Sequence, residues 1–458
     1  MSRTTQREID GFLAVRPVQV AELELGAGAE TGGGTAPPLL RPGPGSPPPG
    51  PGEVFALVRR GGVPMGTLLV TVPEGADPRD TVAEAARRLP APPPEDGPPP
   101  GRPPRTTVVV ATRERPRQLA RAVRSLLAQD HPDFDVVVVD NAPVTAATRE
   151  LVEGEFGGRV RYVREPVPGL ARAHNAGLAA ASGDVVAFTD DDVVADPRWL
   201  AELSVPFSGD PGLGCTTGLI LPARLRTPAQ VLLESNGGFA KGFTPRVYDP
   251  ADPPADEPLF PFTAGRFGSG AAMAFRTTVL RAVGGFDPAT GTGTRAKGGD
   301  DLYAFVRVLA EGHRLRYVPR ALVWHHHRET WRDLENQAFG YGAGLTAYLT
   351  AVLVRRPALL PALLRRLPRG LAYARQLTAA RDPGGAGTGG AGTGGAGTGG
   401  AGAEGGGAEG GGAVPGGHDR RDHPWPGRLS RLQRRGMVYG PLGYVRARRA
   451  LRRAVTSR

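Results

Sequence analysis

Three groups of residues in this 458-residue chain carry the side chains that polar chemistry needs: Phe188-Thr189-Asp190-Asp191-Asp192, Asp300-Asp301 and His325-His326-His327. The first follows Val185-Val186-Ala187, so it reads as a buried strand that ends abruptly in carboxylates. Three adjacent acids repel one another unless positive charge sits among them. Hard oxygen ligands at a strand end suit Mg2+ or Mn2+, and such ions commonly bridge to phosphates. In open α/β sheets ligands collect beyond the carboxyl ends of the strands, where these acids lie. Asp300 and Asp301 open a predicted helix bearing Leu302, Phe305, Val306 and Leu309. There a carboxylate serves either the helix dipole or as a general base. At a strand ending, His325 and His327 share a side and His326 points away.

The elements that must position these groups follow from pattern. Thr107-Val108-Val109-Val110-Ala111 reads as a buried strand, and the next helix presents Leu119, Val123, Leu126 and Leu127. Val136–Val139 is a second strand ending in Asp140-Asn141, and Val160–Val163 a third. Gly169-Leu170-Ala171-Arg172-Ala173-His174-Asn175-Ala176-Gly177 then opens a helix that leads into the acidic strand. Alternating strands and helices predict a parallel, doubly wound sheet. Trp199 is expected to anchor a helix against it. Gly268-Ser269-Gly270-Ala271-Ala272-Met273-Ala274-Phe275 is rich in small residues and allows a backbone to approach a ligand closely. Tyr317–Trp324 reads as the last strand, leading into the histidines.

Around this lie regions of other character. Residues 1–89 read as a small β-β-β-α module, with a hairpin at Gly61-Gly62 and a helix opened by Asp77-Pro78; the Gly/Pro tract from Gly26 to Gly52 is not expected to pack. A Pro-rich linker spans 90–104, the α/β domain 105–345, and basic amphipathic helices 346–382. A Gly-rich flexible linker covers 383–417 and a basic tail 418–458. The formal net charge is +11, carried almost wholly by arginine, since Lys241 and Lys297 are the only lysines. The single cysteine, Cys215, excludes an internal disulfide and a cysteine-based zinc site. No apolar h-region follows the polar first residues, and no run reaches the roughly 18 apolar residues of a membrane span.

The order of these motifs over residues 106 to about 345 resembles a family 2 glycosyltransferase of the inverting GT-A type. The resemblance implies an α/β fold with a Rossmann-like mixed sheet flanked by helices. It implies a nucleotide-sugar donor, a Mn2+ or Mg2+ cofactor, and a glycan, lipid-linked or small-molecule acceptor. By resemblance Asp192 and His325 are the metal ligands, with His327 second to His325, and Asp190 contacts nucleotide or ribose, while Asp191 supports the turn. Thr112, Arg113, Asp140, Arg172 and Asn175 are expected to line the donor pocket. An acidic pair supplies the base in the family; here it is Asp-Asp rather than the usual Glu-Asp, and Asp301 is assigned the base with Asp300 in support. Ala272 stands where many relatives carry a polar residue. The Gln-x-x-Arg-Trp pattern of processive synthases is absent.

A nucleotidyltransferase is the enzymatic alternative, but Thr112-Arg113-Glu114-Arg115-Pro116 lacks the glycines of its basic loop. A non-catalytic nucleotide- or glycan-binding protein would not need both acidic sites and the histidines. The basic tail has no nucleic-acid motif, so no nucleic-acid partner is expected. Leucines among arginines at 355–375 and 428–453 suit either an anionic membrane surface or docking onto the catalytic domain. The expected location is the cytoplasm, with peripheral contact at the inner face of the membrane.

Overall fold

The computed structural model describes residues 11–12, 14–26, 37–90, 101–369 and 425–456. The Gly-rich linker expected at 383–417, and most of the Pro-rich one, lie outside them.

Strands β1 (Gln19–Leu25), β2 (Leu39–Pro42), β3 (Gly52–Arg60) and β4 (Val63–Val72) form a sheet in the order β2-β1-β3-β4. Gly61 and Gly62 both take positive φ, 57° and 79°, which lets a two-residue turn follow the twist of β3 and β4. The helix Pro78–Ala86 starts as its sequence predicts, with the Asp77 carboxylate accepting from Arg79 N at 2.7 Å. The Gly/Pro tract departs from expectation. Because β1 and β3 pair in parallel, the chain between them must cross back, and β2 forms on the way by pairing with β1. Nor does the module stand apart. One face of β3 (Val54, Ala56, Val58) packs on the module's own helix, while Phe55 and Leu57 on the other pack against Leu219, Leu221, Leu322 and Trp324.

The larger sheet has nine strands: β5 (Thr106–Thr112), β6 (Phe134–Asn141), β7 (Val160–Glu165), β8 (Val185–Asp190), β9 (Val193–Ala195), β10 (Leu213–Pro222), β11 (Arg246–Tyr248), β12 (Met273–Arg276) and β13 (Arg314–His325). Their order is β11-β13-β10-β12-β8-β5-β6-β7, with β9 paired to β13. The half containing β5 to β8 is parallel, as strand–helix alternation predicts. The other half is not: β12 runs antiparallel between β8 and β10, so the sheet is mixed. Both faces are covered by helices, which is why β5, β6 and β8 read as unbroken apolar runs. Trp199 is fully buried in one of these helix layers.

The basic tail is a single long helix, Gly427–Thr456, lying along the helix Trp331–Arg355. Glycines at Gly342, Gly436 and Gly440 make the two backbones touch. A Cβ built on Gly436 would stand 2.2 Å from Phe339 O, and one on Gly342 only 1.9 Å from Gln433 O. The fully buried Tyr444 donates its hydroxyl to Asp287 Oδ2 at 2.9 Å, an oxygen that also accepts from Arg355 Nε at 2.9 Å. Among the described residues no single helix is long and apolar enough to cross a membrane.

Candidate active site and metal centre

The acidic triplet is a turn between two strands of the same sheet. β8 ends at Asp190 and β9 begins at Val193. The pairing of β9 with β13 puts Val193 opposite His325, and His326 N donates to Asp192 O at 2.9 Å. Topology, not proximity in sequence, thereby delivers His325 to the triplet. His325 Nε2 lies 3.2 Å from Asp192 Oδ1.

Each carboxylate has its own surroundings. Asp191 accepts from the Thr112 hydroxyl at 2.7 Å and from Arg115 at 3.0 Å, so it braces the turn. Burial and the Asp192 charge nevertheless push its pKa upward. Asp192 accepts from Arg115 at 3.1 Å on Oδ2, with Arg328 3.6 Å away. Burial disfavours its charge, but His325, Arg328 and Arg115 outweigh that and hold it well below the usual carboxylate range. Asp190 shifts the other way, to about 6, through burial and the neighbouring Asp192.

One ligand atom each from Asp190, Asp192 and His325 lie within 4.8 Å of one another, a spacing one ion can span with modest closure. The histidine pair fits such an ion. His325 Nδ1 and His327 Nδ1 are 2.9 Å apart, and His327 Nε2 is 3.5 Å from Glu234 Oε2. With Glu234 accepting from Nε2, a neutral His327 keeps a bare Nδ1 that accepts from His325 Nδ1. His325 also faces Asp192 through Nε2; burial lowers its pKa, but Asp192 outweighs that and raises it. An ion displacing the Nε2 proton would meet the lone pair of His325 on the side of Asp192, on an imidazole whose other nitrogen is held by His327. His326 is directed elsewhere; burial and the nearby Arg121 and Arg224 lower it to about 3.

The second acidic site is built by a glycine cap. Gly299 has φ 85° and sits where a Cβ would lie 2.4 Å from Gly344 O, so the helix Asp300–Ala310 begins hard against the Trp331–Arg355 helix. Asp300 is buried, its Oδ2 3.1 Å from His174 Nδ1 but too oblique for a hydrogen bond. Asp301 is half-buried and accepts from Gly270 N at 2.9 Å on Oδ2 and from Leu302 N at 2.8 Å on Oδ1. Burial, then Asp300, raise its pKa to about 6. Lys241 senses the same carboxylate and is itself lowered to about 8 by burial and Arg266. The two acidic sites are joined through the loop that leads into β12. The Thr189 hydroxyl at the end of β8 donates to Ala271 O at 2.7 Å, one residue from the Gly270 amide that holds Asp301.

The residues expected around a nucleotide divide. Asp140 is fully buried at the end of β6, in register with Thr112; Oδ2 accepts from the Tyr162 hydroxyl at 3.0 Å, and Oδ1 makes no hydrogen bond among the described residues. Burial raises its pKa. Among the described residues Arg172 keeps a buried Nε with no partner, and Arg113 is exposed. Two residues also have structural partners. The Thr112 hydroxyl is spent on Asp191. Asn175 clamps a backbone, donating to Phe286 O at 2.8 Å and accepting from Phe286 N at 2.9 Å, which leaves its amide one further N–H and one oxygen lone pair. Sequence reasoning passed over Arg115, His174, Gly270, Lys241 and Glu234. Arg115 and His174 lay inside motifs already singled out; the partners of Lys241 and Glu234 are distant in sequence, and no local pattern marks either residue.

Residues 103–340 match the family described as glycosyltransferase like family 2, and the chain belongs to that family. The protein is thus a glycosyltransferase by family, with a DXD-like acidic cluster able to hold a metal ion. It is similar to a pre-mycofactocin glycosyltransferase of Mycobacterium tuberculosis, 35% identical over 176 residues, which is 38% of this chain and 33% of that one. It is also similar to a glucosyl-dolichyl phosphate glucuronosyltransferase of Haloferax volcanii, 25% identical over 46% of this chain and 65% of the relative. The chain thus spans about a third of the mycobacterial relative's length. Among solved structures, a mannosyltransferase from Pyrobaculum calidifontis in complex with GDP-Man and Mn2+ aligns at 23% identity with a TM-score of 0.41, over 66% of this chain and 82% of that one.

Proposed function

We propose that this protein transfers a sugar, with inversion, from a nucleoside-diphosphate sugar to an acceptor hydroxyl, in a reaction dependent on a divalent cation. The observation that carries the reading is the pairing of two acidic sites at one end of the sheet, linked through Thr189, Ala271 and Gly270. One, formed by Asp190, Asp192 and His325, is a metal-type cluster; the other, Asp301, is a carboxylate raised toward neutrality.

The roles follow from surroundings. Asp301 is fixed by two backbone amides and takes the proton of the attacking hydroxyl. The hydroxyl oxygen bonds to the anomeric carbon as the bond from that carbon to the diphosphate oxygen breaks, and the electron pair leaves with the diphosphate. A cation held by Asp190, Asp192 and His325 supplies, when bound, Lewis-acid stabilisation of that leaving group. The imidazole in the set favours Mn2+ over the more strictly oxygen-seeking Mg2+. Arg115 and Arg328 bring further positive charge to the same end, and Arg172 offers an unpaired Nε to phosphate. Asp140, with one oxygen free of hydrogen bonds, suits a ribose hydroxyl or a base N–H.

The test is a panel of nucleotide sugars assayed for hydrolysis and transfer with Mn2+, with Mg2+ and in excess chelator. Turnover of one donor that needs added Mn2+ is the expected result. Full activity in chelator would overturn the metal assignment, and no turnover of any donor would overturn the transferase reading.

A further inference from the structure

The two basic helices that follow the catalytic sheet each carry an outward apolar stripe at helical spacing. On Gly427–Thr456 it is Val438, Leu442 and Val445, and on residues 360–369 it is Leu360, Leu364 and Leu367, each at i, i+4 and i+7. Val438 is 83% and Leu364 56% exposed, unusual for large aliphatic side chains that lie in line. The opposite face of the longer helix is already used, its glycines and Tyr444 being packed inward. What remains outward is an apolar island between arginines, Arg434 and Arg435 on one side and Arg446 and Arg449 on the other.

Charge decides what this surface fits. Residues 427–456 contain nine arginines and no acidic residue, and residues 360–369 contain Arg365, Arg366 and Arg369 and no acidic residue. A cavity of about 500 Å³ opens between those three arginines and Pro254, Glu257 and Pro258. An apolar stripe edged by guanidinium groups matches a bilayer boundary, where the aliphatic side chains enter the acyl region and the cations meet phosphate. A protein partner would have to supply an acidic rim to both helices at once, whereas an anionic leaflet supplies it everywhere.

Both helices also cap the core cluster shared with the Asp300–Ala310 helix, one through Leu359 and Leu363 at its start and the other through Tyr444, Ala447 and Leu451. The stripes therefore lie on the side of the sheet that carries the Asp301 helix. We propose that these two helices form a docking surface for an anionic lipid bilayer, the inner face of the cell membrane, and that the acceptor is met there. The evidence for the surface is independent of the transferase reading; only the consequence for the acceptor rests on it.

The full chain is sedimented with phosphatidylcholine vesicles with and without phosphatidylglycerol, over a range of salt. Binding to the anionic vesicles alone is expected, weakening with salt, and falling about tenfold or more in Leu442→Asp and Leu364→Asp, since each removes a buried aliphatic group from the interface. Both side chains are exposed, so circular dichroism and nucleotide-sugar hydrolysis in solution should match the parent. Absence of vesicle binding would overturn the proposal. So would binding that the two substitutions leave unchanged, or binding that duplex DNA abolishes in competition, either of which would make the surface a general polyanion site. A chain that binds vesicles but turns over no nucleotide sugar would sink the transferase reading and leave the surface standing.

Discussion

His174 Nδ1 stands 3.1 Å from Asp300 Oδ2, and that contact divides the labour between two adjacent acids. Asp300 is turned into the core against an imidazole that is itself packed between Phe188 and Phe286. Asp301, one residue on, is half-buried and held by backbone amides, with its carboxylate beside the small-residue loop at Gly270. Asp301→Asn should therefore leave sugar-donor affinity nearly intact and cut turnover by roughly 10²–10⁴, the range for a positioned general base. Transfer kinetics alongside a nucleotide-sugar titration checks it. A joint loss of affinity and turnover would move Asp301 into the donor site, and loss of turnover only in Asp300→Asn would exchange the two roles.

The same carboxylate predicts a pH dependence. Its ordinary pKa of 3.8 is raised to about 6 by burial and by Asp300, so the base form is populated only as pH rises through about 6. The acid limb of kcat should fall there rather than near 4. For stability the sign is opposite. The folded state holds this proton more tightly than the unfolded chain does, so stability contributed by the neutral acid is present below 3.8 and is lost as pH rises to about 6. Asp301→Asn should accordingly raise Tm at pH 7 while cutting turnover; a lowered Tm at pH 7 would contradict the burial argument.

Metal binding should depend on residues beyond the three candidate ligands. Asp192→Ala should abolish Mn2+ binding measured by calorimetry. His327→Ala, which removes the partner of His325 Nδ1, should weaken it roughly 10- to 100-fold, as loss of a group that orients a metal ligand does. Unchanged Mn2+ affinity in His327→Ala would mean that the Glu234–His327–His325 chain does not orient the ligand.

Asn175 separates a structural role from a binding one. Its amide satisfies both the N–H and the C=O of Phe286, so Asn175→Ala should cost about 1–3 kcal/mol in chemical denaturation, through buried groups left unpaired. Nucleotide-sugar affinity of the folded fraction should hold. Selective loss of that affinity with stability unchanged would restore Asn175 to the donor pocket.

The C-terminal helix is predicted to be part of the catalytic unit. Tyr444→Phe removes a hydroxyl from the buried Asp287 and should cost about 1–3 kcal/mol. Gly440→Leu should cost more, since a Cβ there already lies 2.3 Å from Ala343 O. Thermal denaturation ranks the two. If Gly440→Leu melts like the parent, the helix does not pack as tightly as its glycines imply.

Much of this was legible before any coordinates. Apolar runs ending in Asp140 and in the aspartate triplet announce buried strands with polar tips, because a strand covered on both faces has no other way to be continuous. The Asp77-Pro78 start and the Gly61-Gly62 hairpin are local, and local backbone chemistry decides them. The spacing of the acids, glycines and histidines was enough to indicate the family. What sequence alone left open was every relationship between distant residues. Thr112 and Asn175 have the right types for a ligand pocket, and only the fold shows that they also hold Asp191 and Phe286, partners 79 and 111 residues away. β12 enters the sheet antiparallel because a strand's neighbours are chosen by tertiary packing and not by its own four residues. The arginine-rich tail reads as a surface segment, since its charges dominate its composition. Its glycines disclose their purpose only when the facing helix, with Gly342, is in place. The division between Asp300 and Asp301 is of the same kind. Two identical side chains in sequence became different groups because His174, on the helix Leu170–Ala180, and Gly270, in the loop before β12, gave each its own surroundings.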